Sequence, residues 1–255
     1  MKISIITITY NSAKTLPRAL ESVQSQKYDE IEHIIVDGAS TDGTVELIRK
    51  YSDVQSDNVQ CTKKVRWVSE PDNGIYNALN KGIAMATGDV VGFLHSDDVL
   101  YSPDSIGQIA SAFADEEVDV VYGDLEYRKG DKVTRRWKSN AFNPCSLKYG
   151  WMPPHPTVYV RRKVYEQVGL YDEWFRISAD YDMILRIFSA GYKTQYIPQV
   201  LVSMETGGAS NKDTKARLSK TQEDYIALKK NHIGAGYLTV ACKQLRKVRQ
   251  FLRKS

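Results

Sequence analysis

The sequence contains few cysteines and no hydrophobic run long enough to cross a membrane. Its three cysteines, Cys61, Cys145 and Cys242, are far apart and include no C-x-x-C pair, which argues against a disulfide framework and for reduced thiols in a cytosolic setting. Strand-like sequence begins directly after Met1, and the apolar runs are much shorter than the roughly 20 residues that a bilayer span requires. We therefore expect a cytoplasmic protein that has neither a signal peptide nor a transmembrane helix.

A large excess of one charge and the glycine-rich phosphate loops are also missing. The net charge is +4 for 255 residues, which is too small to indicate nucleic-acid binding by itself. Neither G-x-G-x-x-G nor G-x-x-x-x-G-K-S/T occurs, so the pyrophosphate loops of dehydrogenases and P-loop NTPases are excluded, and a bound diphosphate would require a metal ion. Tyrosine, by contrast, is abundant, with 16 residues against 6 Phe. Tyrosine suits half-wet surfaces such as sugar and nucleotide sites.

Strand and helix signals alternate through the first half of the chain. Strands are predicted at residues 2–9, 32–36, 65–69 and 90–94, each followed by a helical pattern, at 16–26, 44–51, 75–86 and 103–114. A fifth strand is predicted at 118–122. This order predicts an α/β fold in which helices cover both faces of a mostly parallel sheet.

The second half is less regular. A hairpin is predicted at 125–137, a proline-rich irregular stretch at 138–156, helices at 163–168 and 180–190, and one or two strands at 193–205. Two basic amphipathic segments close the chain. Because the sequence has no internal repeat and no low-complexity region, one domain is expected rather than two.

Polar residues follow each of the first four predicted strands, at 9–12, 37–44, 70–74 and 95–98. The carboxyl ends of parallel strands meet at one edge of a sheet, so these four loops are expected to line a common pocket. Each loop alone resembles an ordinary Asp/Gly turn. The adjacent acids Asp97 and Asp98 either hold a divalent cation or form a turn and cap ahead of the next helix.

Five ordered motifs occupy these positions: I-I-T-I-T-Y-N at 5–11, I-V-D-G-A-S-T-D-G-T at 35–44, E-P-D-N-G-I-Y-N-A-L-N-K-G at 70–82, A-T-G-D at 86–89 and F-L-H-S-D-D at 93–98. Two more follow, H-P-T at 155–157 and D-Y-D-M-I-L-R at 180–186. Together they resemble the family 2 glycosyltransferases, and within them the enzymes that build bacterial capsule, exopolysaccharide and lipopolysaccharide.

The resemblance implies a GT-A (Rossmann-like) fold, an NDP-sugar donor that is most often a UDP-sugar, a divalent cation (Mn²⁺ or Mg²⁺) and inversion at the anomeric carbon. The GT-A domain is then expected at 1–224, with a nucleotide-sugar half at 1–124 and a smaller, mixed acceptor half at 125–224. A basic helical extension is expected at 225–255.

The resemblance also assigns roles to residues at the strand ends. The donor nucleotide is expected to contact Thr9, Tyr10, Asn11, Asp37, Ser40, Asp42, Asp72, Gly74, Asn77 and Ser96. His95-Ser96-Asp97 stands where the family carries its D-x-D motif, so the metal ligands are expected to be Asp97, Asp98 and His95. Because His95 replaces the first acid, a borderline ion such as Mn²⁺ would suit this His/Asp set.

On the acceptor side, Asp180 matches the position of the family's catalytic base, although Ala179 replaces the acid that usually precedes it. Asp180 is alternatively one of several acids at an ordinary helix N-terminus. His155 is expected to bind the acceptor rather than to transfer a proton. Trp137 and Trp151 are either sugar-stacking platforms or core residues. The segment 207–210, G-G-A-S, is either a loop near the diphosphate or a plain turn.

These assignments predict an inverting hexosyl- or N-acetylhexosaminyltransferase. It would move a sugar to a hydroxyl of a glycan or lipid-linked acceptor during surface polysaccharide synthesis, with no nucleic-acid partner. A non-catalytic nucleotide-sugar-binding module is the alternative, because His95 and Ala179 replace family acids; the retained Asp180 argues against it.

The C-terminal segment carries apolar residues at spacings of three and four beside a basic face: Leu238, Ala241, Leu245, Val248 and Leu252. This pattern predicts an amphipathic helix. Such a helix either lies on an anionic membrane, here the inner face of the plasma membrane, or packs its apolar stripe on the domain.

Overall fold

The computed structural model describes residues 1–57, 63–206 and 214–252. In the first half, strands β1 (Ile3–Thr9), β2 (Ile31–Asp37), β3 (Lys64–Ser69) and β4 (Val90–Phe93) alternate with helices α1 (Leu16–Gln24), α2 (Thr44–Asp57) and α3 (Ile75–Met85). A short strand β5 (Asp98–Leu100) precedes helix α4 (Ser105–Ala112). The predicted alternation is confirmed, whereas no strand was predicted at β5.

The second half begins with a hairpin of strands β6 (Val120–Lys129) and β7 (Lys132–Trp137). Two 3₁₀ turns (Pro144–Tyr149 and His155–Thr157) lead to strand β8 (Tyr159–Arg161), helices α5 (Arg162–Val168) and α6 (Ala179–Ser189), strand β9 (Thr194–Glu205), and helices α7 (Thr214–Lys230) and α8 (Tyr237–Leu252). The predicted strand at 118–122 and the first hairpin strand are one continuous strand, β6. The predicted boundary between 224 and 225 falls inside α7.

The strands form one sheet in the order β3-β2-β1-β4-β8-β6-β9-β5, with β7 pairing only with β6. The first four strands are parallel, as predicted, and Ile3 pairs with both Ile31 and Val90. Beyond β4 the sheet is mixed, because β8 runs antiparallel between β4 and β6 while β6 and β9 are parallel. The ends of the parallel strands therefore lie on one edge, with the irregular second half beside them.

The sheet is buried on both faces. Every residue of β1 and β2 is buried, and neighbouring Ile5 and Ile6 belong to apolar clusters on opposite faces. The cluster around Ile6 also contains residues of α3, α6, α7 and α8, whereas the cluster around Ile5 contains residues of α1 and α4. At Gly92 of β4 an added Cβ would lie 2.1 Å from the Tyr159 ring, so only glycine lets β8 pack there.

Among the helices in the described ranges, none has the length and apolar content needed to cross a bilayer.

Candidate active site

The loops that follow β1 and β2 are cross-linked at the edge of the sheet. Asn11 has a φ of +48°, a conformation that Asn tolerates better than most residues. Its backbone N–H donates to Ser40 Oγ (2.8 Å), and its side-chain oxygen accepts from the Thr41 N–H (2.9 Å). Two predicted nucleotide contacts, Asn11 and Ser40, therefore lie side by side.

The loops after β2 and β3 meet at Asp37, whose side chain is fully buried. Its carboxylate accepts from the Ser40 N–H (2.9 Å) and from Ser69 Oγ (2.7 Å). At the next position a Cβ on Gly38 would lie 2.6 Å from Asp72 Oδ2 and 3.2 Å from the Tyr10 ring. Glycine thus permits Tyr10 and Asp72 to converge, and Tyr10 remains 65% exposed.

Two other predicted donor residues serve as connections between loops. The hydrogen bond from the Thr44 hydroxyl, together with those from the N–H groups of Ala13 and Thr44 (both 3.1 Å), holds the pKa of the Asp42 carboxyl below the usual value. Asp42 therefore caps the start of α2. Ser96 donates to Ser12 Oγ (3.0 Å), which attaches the loop after β4 to the loop after β1.

The remaining predicted donor residues lie at different depths. Thr9 ends β1 at 5% exposure, and its carbonyl accepts from the Gly38 N–H (2.9 Å). The Gly74 N–H donates to Asp72 Oδ1 (2.9 Å) ahead of α3. Asn77 instead donates to both carboxylate oxygens of Glu173 at 3.1 Å, which places it on the acceptor side, where α3 meets the loop before α6.

The three predicted metal ligands are not equivalent. His95 and Asp97 are half-buried, whereas Asp98 is fully buried in β5, where it pairs with Met204 of β9. No described residue hydrogen-bonds either Asp98 oxygen, and burial together with the Asp97 charge raises the pKa of the Asp98 carboxyl well above its usual value. Both Asp98 oxygens are also shielded from solvent, so Asp98 is better explained as part of the β5–β9 packing than as a cation ligand.

A cluster of three or more metal-ligating side chains does not occur within residues 1–57, 63–206 and 214–252. Asp97 alone still fits a hard cation, because Mg²⁺ is commonly held by one or two carboxylates together with substrate phosphates and water.

Asp180, the predicted base, is the second residue of α6 and is half-buried. Its Oδ1 accepts from the Tyr181 N–H (2.8 Å). Burial by itself would raise the pKa of Asp180, but the positive charges of Lys220 and Lys243, the nearby His155 and this hydrogen bond lower it below the usual value. The carboxylate is therefore ionised at neutral pH.

Both lysines come from the C-terminal helices, which the sequence patterns had not connected with the site. Lys243 of α8 donates to Asp224 of α7 (2.8 Å), and its Nζ lies 3.2 Å from the centre of the Tyr181 ring. Burial lowers the pKa of Lys243 to about 8. Burial also opposes the charge of half-buried Lys220, but the negative charges of Asp180, Asp224 and Glu223 outweigh it and raise the pKa of Lys220.

Glu223 of α7 holds the chain immediately before α6. Its carboxylate accepts from the backbone N–H groups of Arg176 (3.3 Å), Ile177 (2.9 Å) and Ser178 (2.9 Å). Ser178 itself makes no side-chain cap at the start of α6. A glutamate that is distant in sequence thus satisfies three consecutive backbone N–H groups just before α6, the last of which belongs to the N-cap Ser178.

Two histidines lie between the donor loops and Asp180. His155 is 8% exposed, its Nε2 lies 2.6 Å from the Tyr171 hydroxyl, and its ring stacks between Phe93 (5.5 Å) and His95 (6.3 Å). Burial lowers the pKa of His155 to about 4 and also lowers that of His95, although Asp180 opposes both shifts. Both rings are therefore expected to be neutral at pH 7.

The predicted tryptophan platforms are placed differently. Trp151 is 3% exposed and packs against Tyr122, Phe142 and Phe188, which corrects its interpretation as a sugar platform in favour of core packing. Trp137 is half-buried beneath the Arg135 guanidinium, 5.7 Å from the ring centre. The segment 207–210 lies outside the described residues.

Comparisons with known proteins identify relatives of this chain. The chain is 33% identical over 211 residues to a PGL/p-HBAD biosynthesis glycosyltransferase of Mycobacterium bovis, covering 82% of this chain and 78% of that protein. It is 32% identical over 235 residues to an uncharacterized glycosyltransferase of Nostoc sp., covering 88% and 70%.

Solved structures share the fold at low identity. Residues 1–349 of TarS from S. aureus superpose with a TM-score of 0.71 at 18% identity, over 98% of this chain and 72% of that one. The mannosyltransferase PcManGT of Pyrobaculum calidifontis, solved with GDP-Man and Mn²⁺, gives 0.67 at 19%, over 100% and 76%. The predicted GT-A fold is thereby confirmed. A family model described as glycosyl transferase family 2 matches residues 4–179, and this chain, a glycosyltransferase that uses a nucleotide sugar, belongs to that family.

Proposed function

We propose that this protein transfers a sugar from a UDP-sugar, with inversion, to a hydroxyl group of a glycan or lipid-linked acceptor in surface polysaccharide synthesis. The observation that carries the proposal is the position of His95. Its ring stacks on that of buried His155 at 6.3 Å, it follows β4 two residues before Asp97, and the charges of Asp97 and Asp180 both oppose the fall in its pKa that burial causes. An inverting transfer needs these two groups on either side of one reaction centre.

The donor assignment is supported by the converging loops after β1, β2 and β3. Tyr10 offers an exposed ring and Asp72 a carboxylate, both next to Gly38, while buried Asp37 holds the turn through Ser40 and Ser69. A structure of TarS contains UDP-GlcNAc, and it resembles this chain with a TM-score of 0.70 at 18% identity over 98% of this chain and 73% of TarS residues 1–349. These features favour a nucleoside diphosphate sugar, with uridine as the first nucleoside to test.

We propose Asp97 as the protein ligand of a divalent cation, with His95 within reach and Asp98 excluded by its burial. When bound, the cation would neutralise charge that develops on the leaving diphosphate.

In the proposed reaction Asp180 accepts the proton of the acceptor hydroxyl while that oxygen attacks the anomeric carbon. The bond from the anomeric carbon to the diphosphate oxygen breaks as the new glycosidic bond forms, so the configuration inverts in a single displacement. Lys220 and Lys243 keep Asp180 ionised before the substrate arrives, and Glu223 fixes the start of its helix.

Binding and turnover separate this proposal from a non-catalytic nucleotide-sugar-binding module. Melting temperatures should be measured with UDP or GDP, each with and without Mn²⁺, because a ligand that binds only the folded state must raise them. Hydrolysis of a panel of NDP-sugars should then be followed in the wild type and in Asp180→Asn. Metal-dependent turnover in the wild type supports the transferase, and stabilisation without turnover supports the binding module. No stabilisation by either nucleotide rejects both.

We also propose that α8 contacts an anionic membrane. Leu238 and Leu245 are each 67% exposed and Ala241 is exposed as well, while Thr239, Val240 and Lys243 form the packed face. For the described part of the stripe this exposure argues against packing on the domain; the side chains of residues 248–252 are outside the description. Basic residues beside the stripe would add up to about 1 kcal/mol each near anionic lipid.

A further inference from the structure

A cavity of about 760 Å³ lies between the N-terminal end of α3, the loop that precedes α6, and α7. Its lining includes Asn77, Trp174, Arg176, Gln222 and Glu223. None of these was predicted from the sequence to bind an acceptor. The mechanism above uses only Glu223, and only for its bonds to the backbone.

Trp174 is the unusual member of this lining. Its side chain is 62% exposed, which is costly for so large an apolar surface unless something covers it. The residue is nevertheless held in place, because its backbone N–H donates to Asp172 Oδ1 (3.0 Å) and its ring meets buried Phe175 edge-on, at 5.1 Å and 86°. Asp172 is in turn paired with Lys230 of α7 (2.7 Å).

The cavity adjoins the start of α6, whose second residue is Asp180. Tyr76 also lines the cavity, and the backbone of Asp180 and Ala179 hydrogen-bonds that tyrosine and offsets part of the rise in its pKa that burial causes. Glu223, on the opposite wall, holds residues 176–178 ahead of α6. A molecule seated in the cavity would therefore contact the residues that immediately precede α6, the helix that carries Asp180.

The chemistry of the lining selects among acceptors. Amide groups (Asn77 and Gln222) and charges of both signs (Glu223 and Arg176) surround the exposed indole, which suits hydroxyl groups and an apolar pyranose face rather than a polyanion. We propose that this cavity is the acceptor subsite and that a neutral sugar ring of the acceptor stacks on Trp174 while its hydroxyl meets Asp180. This inference rests on the proposed transferase function.

Iodide quenching of intrinsic fluorescence tests the binding step without turnover, because Trp174 is the most exposed of the four tryptophans: Trp67 and Trp137 are half-buried and Trp151 is 3% exposed. The difference between wild type and Trp174→Ala isolates the Trp174 signal. The probes are methyl glycosides of glucose, galactose, mannose, rhamnose and N-acetylglucosamine, each added to the full chain at concentrations up to about 100 mM, where weak single-ring binding is detectable. At least one glycoside should protect the wild type from iodide. Protection should be lost in Trp174→Ala and partly kept in Trp174→Phe.

Kinetics supply the second arm, with the best donor and the protecting glycoside as acceptor. Trp174→Ala should raise the acceptor KM about tenfold, the ratio that corresponds to 1.4 kcal/mol of lost stacking. Its rate of donor hydrolysis and its UDP-dependent melting shift should stay within about twofold of wild type, and Trp174→Phe should recover most of the acceptor KM. Tyr149→Ala is the matched control, because Tyr149 is another exposed aromatic (60%) and does not line the cavity.

The outcomes distinguish failure of the acceptor-subsite proposal from failure of the proposed transferase function. If no glycoside protects the wild type, or if Trp174→Ala leaves the acceptor KM within about twofold of wild type, the acceptor subsite is overturned while the donor function stands. If Trp174→Ala instead abolishes the UDP-dependent shift, the cavity belongs to the donor and the assignment is again overturned. Glycoside protection in a protein that binds no nucleotide would reject the proposed transferase and with it the acceptor role.

Discussion

Glu223→Gln is expected to destabilise the protein and to disturb transfer, because one carboxylate holds three N–H groups ahead of α6. The two bonds at 2.9 Å, from Ile177 and Ser178, both reach Oε2, while the longer bond from Arg176 reaches Oε1. A glutamine can place its single carbonyl oxygen on the first pair only. Its amide group would then face the Arg176 N–H, donor against donor.

The magnitude follows from these contacts. Hydrogen bonds to charged groups contribute about 1.5–3 kcal/mol each and neutral ones about 0.5–1.5 kcal/mol. Weakening two bonds and losing a third in a side chain that is 7% exposed should cost about 3 kcal/mol in the free energy of unfolding. For a domain of this size that corresponds to a fall in melting temperature of about 6–12 °C. Asp180 lies only two residues after Ser178, so a displaced helix start would also displace the base. The transfer rate should therefore fall by at least about tenfold, while UDP-dependent stabilisation persists.

Urea denaturation, thermal melting and initial transfer rates measure these effects. The matched control is Glu166→Gln, which breaks an exposed pair with Arg162 (2.9 Å, side chains 61% and 47% exposed) and should cost no more than about 0.5 kcal/mol. A Glu223→Gln variant that melts within about 2 °C of wild type and transfers sugar at the wild-type rate would refute the reasoning.

The remaining predictions concern the candidate base Asp180, the predicted metal ligands Asp97 and His95, and the buried His33. Asp180→Asn should fold and bind donor but lose about 10²–10⁴ in transfer rate; a rate within threefold of wild type would contradict it. Asp97→Ala should remove the Mn²⁺ dependence of UDP affinity in calorimetry and His95→Ala should weaken it less, whereas unchanged metal dependence in Asp97→Ala would exclude Asp97 as the ligand. Burial lowers the pKa of His33 to about 3, so the unfolded chain takes up a proton below about pH 6.5 that the folded chain refuses. As the pH is lowered below about 6.5, the free energy of unfolding should therefore decrease by up to about 1.4 kcal/mol per pH unit. His33→Gln should flatten this slope in urea titrations, and an unchanged slope would show that other groups cause it.

The first half of the fold could be predicted because buried parallel strands leave continuous apolar runs between loops. The strands β5 and β8 could not, because each has three residues, which is too short for any periodicity to appear. The same limit explains Asp98. Beside Asp97 in the sequence it resembles a second ligand, but its position in β5 encloses it.

The donor loops were predictable for a related reason, since each follows directly from a strand whose direction is known. The contacts of Glu223 and Trp174 on the acceptor side were not predictable. Glu223 lies 45 residues or more from the N–H groups of Ile177 and Ser178 that it holds, and no local pattern connects a charge to a partner at that separation. Trp174 shows the same limit, because sequence alone distinguishes an exposed tryptophan poorly from core residues such as Trp151.

In helix α8 the local sequence pattern was readable, but its contacts with distant residues were not. These contacts decide how membrane binding must be tested. The periodicity of α8 identified an apolar stripe, but the domain packs against Val240 and Lys243 and leaves Leu238 and Leu245 exposed. The Lys243 side chain is mostly buried, where it pairs with Asp224 and lies over the Tyr181 ring, and its charge helps to keep Asp180 ionised.

Truncation after Tyr237 would therefore remove Lys243 together with the leucines and would confuse loss of membrane contact with damage at the base. The double variant Leu238→Ser, Leu245→Ser changes only the exposed face, so it should keep donor hydrolysis and the melting temperature near wild type. It should lose low-salt co-sedimentation with phosphatidylglycerol vesicles, as the wild type should in high salt. If wild type and double variant sediment equally, the exposed stripe does not contact lipid, and α8 serves the active site alone.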